Sequence, residues 1–186
     1  MALSCQKEIQ NRSAVSSIQD NVLSNAIGAG DVYTINNSRI DDKVFHFNRA
    51  ANGKLTLEGK YSTQGKGTGL PLGSQGAVML SNDKHWLFTV SAGTNEISVF
   101  HLSSSRVPQL VDKVSSQGVM PISIAVHGSL LYVLNASTNF RGSIAGYKIS
   151  GEGKLTFLRK HQFCGACSNI FYKQCQRISN YRKSHQ

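Results

Sequence analysis

With 186 residues, 40% of them hydrophobic and only 16% charged, the chain is long enough for one domain with a real core or for part of a larger repeat fold. The low charge, the 17 glycines and the wealth of Ser, Thr and Asn suit an all-β protein with many tight turns and argue against a helical bundle. A net charge of +10 would invite a nucleic acid, but seven basic residues and no acidic one follow Glu152, so most of the excess sits at one end and no nucleic-acid partner is expected.

Residues 1–29 form an N-terminal segment. Lys7, Glu8, Arg12 and Asp20 interrupt it, so it lacks the apolar stretch of a secretion signal. No run in the chain approaches the ~20 apolar residues of a membrane-spanning helix, and no membrane partner is expected. Residues 30–75 open with a strand at 32–37, where Tyr33 stands among aliphatic and β-branched neighbours before the polar pair Asn36 and Asn37. A second strand is expected at 44–47 and a third at 55–57, the latter entered through the turn signal Asn52-Gly53. A Gly-rich insert at 64–73 lengthens this unit.

Residues 76–120 begin with a small, apolar strand at 76–81 and a polar turn at 82–84. An aromatic-centred strand with Phe88 at 87–92 follows, then strands at 97–100 and 110–112. Residues 121–160 repeat the order: a strand at 122–127, a turn at 127–129, a strand at 131–136 with Tyr132, and strands at 144–147 and 155–157. Helical periodicity is absent from 30 to 160.

Residues 161–186 form a basic, Cys-containing tail expected to be disordered. Cys5, Cys164, Cys167 and Cys175 all lie outside the repeats, whereas a disulfide framework would sit within them, so a reducing cytoplasm is expected. His161, Cys164, Cys167, Cys175 and His185 have ligand types that suit zinc. A single C-x-x-C without a second spaced pair is a weak signal, and neither a metal nor another cofactor is expected.

Tyr33, Phe88 and Tyr132 lie 55 and 44 residues apart, and Phe47, Phe100 and Tyr147 lie 53 and 47 apart. A period of about 40–50 residues with several short strands per unit marks the blades of a propeller. The expected fold is therefore all-β: a partial β-propeller of about three four-stranded antiparallel blades (30–75, 76–120, 121–160) with irregular N- and C-terminal tails. Strands A to D run outward from the centre of each blade. The first blade shows no obvious strand A unless residues 22–27 supply it.

Residues 73–81 running on through 86–100, together with 48–57, 121–128 and 131–136, resemble the lactonase-type seven-bladed β-propeller family. That family includes 6-phosphogluconolactonase-like and carboxymuconate cyclase-like proteins. The resemblance covers about 30–160, some three blades of the seven, and implies a truncated member with an unrelated end. It further implies a hydrolase or cycloisomerase of sugar-acid or aromatic-acid lactones, with a small-molecule lactone or sugar acid as partner. The alternative is a non-catalytic propeller scaffold or an inactive fragment. Self-association through open blade edges is a further expectation, because three blades cannot close a ring.

Chain direction puts the B–C and D–A loops at one end of the blades and the A–B and C–D turns at the other. In propellers the former loops usually form the ligand-binding mouth, which makes Asn36, Ser74, Gln75, Asn95 and Asn135 the candidate ligand-binding residues. Their amides and hydroxyl suit sugars and carboxylates, although the same residue types are what tight turns need. Lactone hydrolysis requires a base to activate water and a cation or N–H to hold the oxyanion. The loops carry Arg39, Asp41, Asp42, Glu96 and Arg141 but no histidine, so the catalytic residues stay unassigned. His127 falls in a turn at the other end. His46 and His101 read as outward-facing polar positions of strand C, the recurring aromatics as core, and Trp86 as packing between blades.

Overall fold

The computed structural model describes residues 30–137 and 142–163. Within them the chain is all-β. The first sheet comprises β1 (Gly30–Ile35), β2 (Lys43–Arg49) and β3 (Leu55–Ser62). The second comprises β4 (Val78–Leu80), β5 (Trp86–Ser91), β6 (Glu96–Leu102) and β7 (Pro108–Ser115). The third comprises β8 (Pro121–His127), β9 (Leu130–Asn135), β10 (Ser143–Ile149) and β11 (Leu155–Gln162). Neighbouring strands are consecutive in the chain, giving the up-and-down meander of propeller blades, and the fold is the partial β-propeller that the repeats imply. None of the described residues forms a helix long and apolar enough to cross a membrane.

The chain divides into two compact units, one of residues 1–34 and 45–60, the other of 35–44 and 61–186. The described part of the smaller unit is most of the first sheet. It has three strands rather than four, and residues 22–27, the expected source of its strand A, lie outside the described residues. On it the rings of Phe45 and Phe47 lie 6.5 Å apart, and the Lys60 ammonium sits 5.1 Å over the Phe45 ring.

In the larger unit the second and third sheets share one core. Phe88, Val90, Ile97 and Val99 of the second pack with Ile124, Leu131, Val133, Ala145 and Tyr147 of the third. From Leu87 to Ser91 every residue of β5 is buried, so this strand reads as a nearly continuous run rather than an alternation. Each large apolar side chain enclosed here contributes ~1.5–3 kcal/mol relative to exposure.

The two sheets agree position by position. Phe88 pairs with Met79 and Val99, and Tyr132 pairs with Ala125 and Gly146. A β-bulge between Val99 and Phe100 on β6 recurs between Gly146 and Tyr147 on β10. A bulge bends its strand, and the repeated bend leaves Phe100 and Tyr147 each 1% exposed. Phe88 and Tyr132, and likewise Phe100 and Tyr147, thus hold equivalent register positions in the second and third sheets.

The outermost strands β3, β7 and β11 run beyond the expected triplets, β11 as far as Gln162 and so into the residues expected to be a disordered tail, and two further details depart from the strand pattern. β4 is shorter than the expected 76–81 because Gly76 leaves its own sheet, bridges Ser123, and accepts a 2.8 Å hydrogen bond from Ile124 N. Phe88 is fully enclosed in the shared core, whereas its counterpart Tyr132 is 48% exposed on the far face of the third sheet.

Candidate functional site

Within the larger unit the connections at 36–42, 63–77, 92–95 and 116–120 form the loop end. Their polar groups hold one another. Asn37 Nδ2 donates to Thr68 Oγ1 (2.9 Å) and to the Leu70 carbonyl (2.7 Å), and its Oδ1 accepts from Thr68 N (2.9 Å). Gly67 N donates to Ser38 O at 2.6 Å and Gly93 N to Lys66 O at 2.8 Å. The approach is so close that a Cβ on Gly67 would lie 2.2 Å from the Asn37 backbone, and one on Gly93 would lie 2.2 Å from Gly67 O.

The five candidate residues fare differently. Asn36 is exposed, and its Oδ1 accepts from Ser38 N (3.3 Å) and Lys43 N (3.0 Å), which leaves its NH2 group for a ligand. Gln75 is exposed. Asn95 is half-buried in the left-handed region (φ 60), and its Oδ1 accepts from Met120 N at 2.7 Å. Ser74 donates to the Ile122 carbonyl and accepts from Gly76 N at 3.2 Å, fastening the Gly-rich insert to β8. Asn135 is fully buried; its Nδ2 donates to Ser116 O at 3.0 Å, while its Oδ1 makes no hydrogen bond among the described residues. Residues 116–122 thereby gather Asn95, Asn135 and Ser74, whereas Asn36 belongs to the turn closed on Lys43.

Charges at this end are mostly paired. Lys43 Nζ stands 3.1 Å from Asp41 Oδ2, and Lys113 Nζ stands 3.0 Å from Glu96 Oε1. A hydrogen bond from Ser62 and then the Lys43 ammonium hold the Asp41 carboxyl below the usual carboxylate range. Arg39 Nε donates to Thr68 O. Arg141 lies outside the described residues. Asp42 is fully buried, and burial pushes its carboxyl up to about 6 against the opposing effect of the Ser91 hydroxyl, which donates to Oδ2 at 3.3 Å. Thr63 and Ser98, both buried, continue this column of polar groups: Thr63 Oγ1 donates to Asp42 O (2.9 Å) and Ser98 Oγ donates to Thr63 O (2.9 Å). An enclosed Asp42 steadies the loops and cannot itself touch a ligand.

One histidine assignment is overturned. His46 does not face outward: it is 4% exposed, its Nε2 lies 2.7 Å from Asp31 Oδ1, and its ring stacks on Tyr33 at 4.8 Å. Strand alternation tells which residues share a face but not which face is covered, and the partner Asp31 comes from the neighbouring strand β1. His101 is half-buried with its ring 5.1 Å from that of Trp86. His127 is exposed at the end of β8. His161 is exposed with its ring edge-on to Phe163, and Cys164, Cys167, Cys175 and His185 lie outside the described residues. Among the described residues no three His, Cys, Asp or Glu side chains converge on a metal position.

The turn end of the second and third sheets holds an open pocket of about 580 Å³, most of whose lining residues are exposed. It is lined by residues 81–83, 85–86, 128–129 and 149–151 together with His101. Ser81 Oγ donates to Asp83 Oδ1 at 2.5 Å, His85 N donates to the same oxygen at 3.1 Å, and these bonds hold the Asp83 carboxyl below its usual range. His85 Nδ1 stands 3.3 Å from Asp83 Oδ2. Trp86 is wedged against the third sheet as expected, so tightly that a Cβ on Gly153 would lie 2.4 Å from its ring. Sequence reasoning passed over His85. The available signal was the order carboxylate, imidazole, indole at Asp83, His85 and Trp86, directly after a strand.

A family model described as lactonase, 7-bladed beta-propeller, matches residues 32–171. Three solved structures are similar in fold. A functionally unknown protein from Desulfotomaculum acetoxidans DSM 771 is 20% identical, with a TM-score of 0.54 over 66% of this chain and 36% of its own. A protein from Lactobacillus plantarum is 21% identical, with a TM-score of 0.55 over 69% and 38%. The periplasmic gluconolactonase of Pseudomonas aeruginosa is 21% identical, with a TM-score of 0.52 over 63% and 33%. The matched region thus spans little more than a third of the length of these structures. No curated protein matches the chain.

Proposed function

The chain belongs to the lactonase family of seven-bladed β-propellers, and on that footing we propose that it serves a lactone hydrolase whose substrate binds at the loop end. The observation that carries this reading is the family match over 32–171, which takes in nearly all the described strands. Sugar-acid lactones are the first substrate class to test, aromatic-acid lactones the second. Hydrolysis adds water to the lactone carbonyl carbon, places negative charge on the carbonyl oxygen, and breaks the ring C–O bond as the departing alkoxide takes a proton.

The loop end has groups suited to binding and orienting such a molecule. The NH2 groups of Asn36 and Asn95 and the amide of Gln75 can hydrogen-bond to ring hydroxyls, and the turn of Asn36 also carries the cationic Arg39 and Lys43. Ser74 and Asn135 act behind them by fixing the loops. The activating base is not assigned to a described residue. The cytoplasm is the compartment we propose, because residues 30–163 contain no cysteine with which to build a disulfide framework.

The test is acid release by the purified chain from an aldonolactone, followed by pH-stat. A saturable acceleration over the spontaneous rate is expected, with Asn36→Ala raising KM several-fold (about 1 kcal/mol for one lost hydrogen bond) and leaving kcat largely unchanged. A rate equal to that of buffer with both lactone classes would instead favour a non-catalytic propeller scaffold.

A further inference from the structure

We infer that the cavity at the turn end of the second and third sheets binds a neutral, monosaccharide-sized polyol. The site is opposite the loop end and independent of the lactone reading. Its volume of about 580 Å³ falls within the ~300–1,000 Å³ typical of small-ligand sites. Its walls combine an aromatic surface with directional hydrogen-bonding groups, the two things a sugar ring presents in reverse. The aromatic surface is Trp86, with the His101 ring 5.1 Å away.

Two exposed polar groups have a hydrogen-bonding position left over. The contact of His85 Nδ1 with Asp83 Oδ2 at 3.3 Å orients the imidazole and leaves Nε2 for a ligand. Ser150 Oγ accepts from Glu152 N (3.3 Å) and Lys154 N (3.0 Å), so both its lone pairs are engaged and its O–H remains to donate.

The same lining selects against charged ligands. No Lys or Arg lines the cavity, so it offers no permanent cation to pair with a carboxylate or phosphate. Asp83, its one carboxylate, already accepts from Ser81 and from His85 N. Metal ligation is not indicated either, since no cluster of three ligands forms among the described residues. Gly151 is one of the lining residues, and a Cβ there meets nothing within 4 Å.

Trp86 is the only tryptophan of the chain, so emission excited at the red edge, beyond tyrosine absorption, reports on this site. Titration of the full chain with glucose and galactose is expected to change the emission saturably, with Kd on the order of millimolar. Gluconate should bind at least ~10-fold more weakly, because the site lacks a cation to repay its desolvation. His85→Ala should weaken glucose binding ~10-fold. Gly151→Leu should weaken the response by crowding the pocket's lining, while thermal unfolding shows that the fold is kept.

Absence of a saturable change up to about 100 mM of either sugar would overturn the inference. So would an undiminished response in folded Gly151→Leu. A response to gluconate as strong as that to glucose would identify an anion site instead. Failure of the hydrolysis assay would leave these results untouched, because that assay reads the opposite end.

Discussion

The two ends of the blades draw on the same small polar residues and spend them differently. At the loop end Asn37, Ser74, Thr63, Ser91 and Asn135 give their hydrogen bonds to neighbouring loops, and Gly67 and Gly93 let backbones approach closely. At the turn end His85 and Ser150 keep unspent groups around open volume, and Gly151 faces empty space. Polarity in a loop therefore does not mark a ligand site by itself. What marks one is polar groups left over after the loop has satisfied its own backbone.

The largest expected contrast is between glycines. Gly67→Ala or Gly93→Ala forces a Cβ to within 2.2 Å of backbone atoms and should cost about 2–4 kcal/mol in urea unfolding, as overpacking does. Gly151→Ala at the turn end should stay within ~0.5 kcal/mol. Equal costs at both ends would break the comparison.

A smaller effect is expected from the buried amide. Asn135→Ala removes the bond to Ser116 O and should cost about 1–3 kcal/mol, whereas Asn82→Ala on the exposed turn should be nearly silent.

A further effect is a slope in pH. Buried Asp42 titrates at about 6 in the folded chain against an ordinary value of 3.8, so the folded state holds this proton more tightly than the unfolded state. The stability this contributes is complete below 3.8 and is lost as pH rises through about 6. Between those values the unfolding midpoint of the wild type should fall relative to that of Asp42→Asn, which cannot titrate. Parallel pH profiles would mean that Asp42 is not enclosed in the native loops.

Much of the architecture was legible in the chain. Phe100 and Tyr147 recur because each sheet encloses a large side chain at the same register, marked by the bulge beside each, whereas Phe88 and Tyr132 share a register and only Phe88 is enclosed. The site was less legible because one residue type serves two purposes. Asn36 and Asn135 look alike in sequence, yet one lies in an exposed turn and the other is sealed between loops. His46 looked like a surface residue because its partner Asp31 comes from another strand, a pairing that spacing does not announce. The cavity beside His85 was invisible for a similar reason. Half its wall comes from residues 128–129 and 149–151, more than 40 positions along the chain.

The division of labour between the ends is tested most directly by amide-correlation NMR with two ligands, gluconate, an open-chain anion, and glucose, a neutral ring. Gluconate should shift the amides of 36–43, Gln75 and Asn95 and leave the turn end unmoved. Glucose should shift those of 82–86 and 149–151 together with the Trp86 indole. A single shared set of shifted residues for both ligands, at either end, would contradict that division.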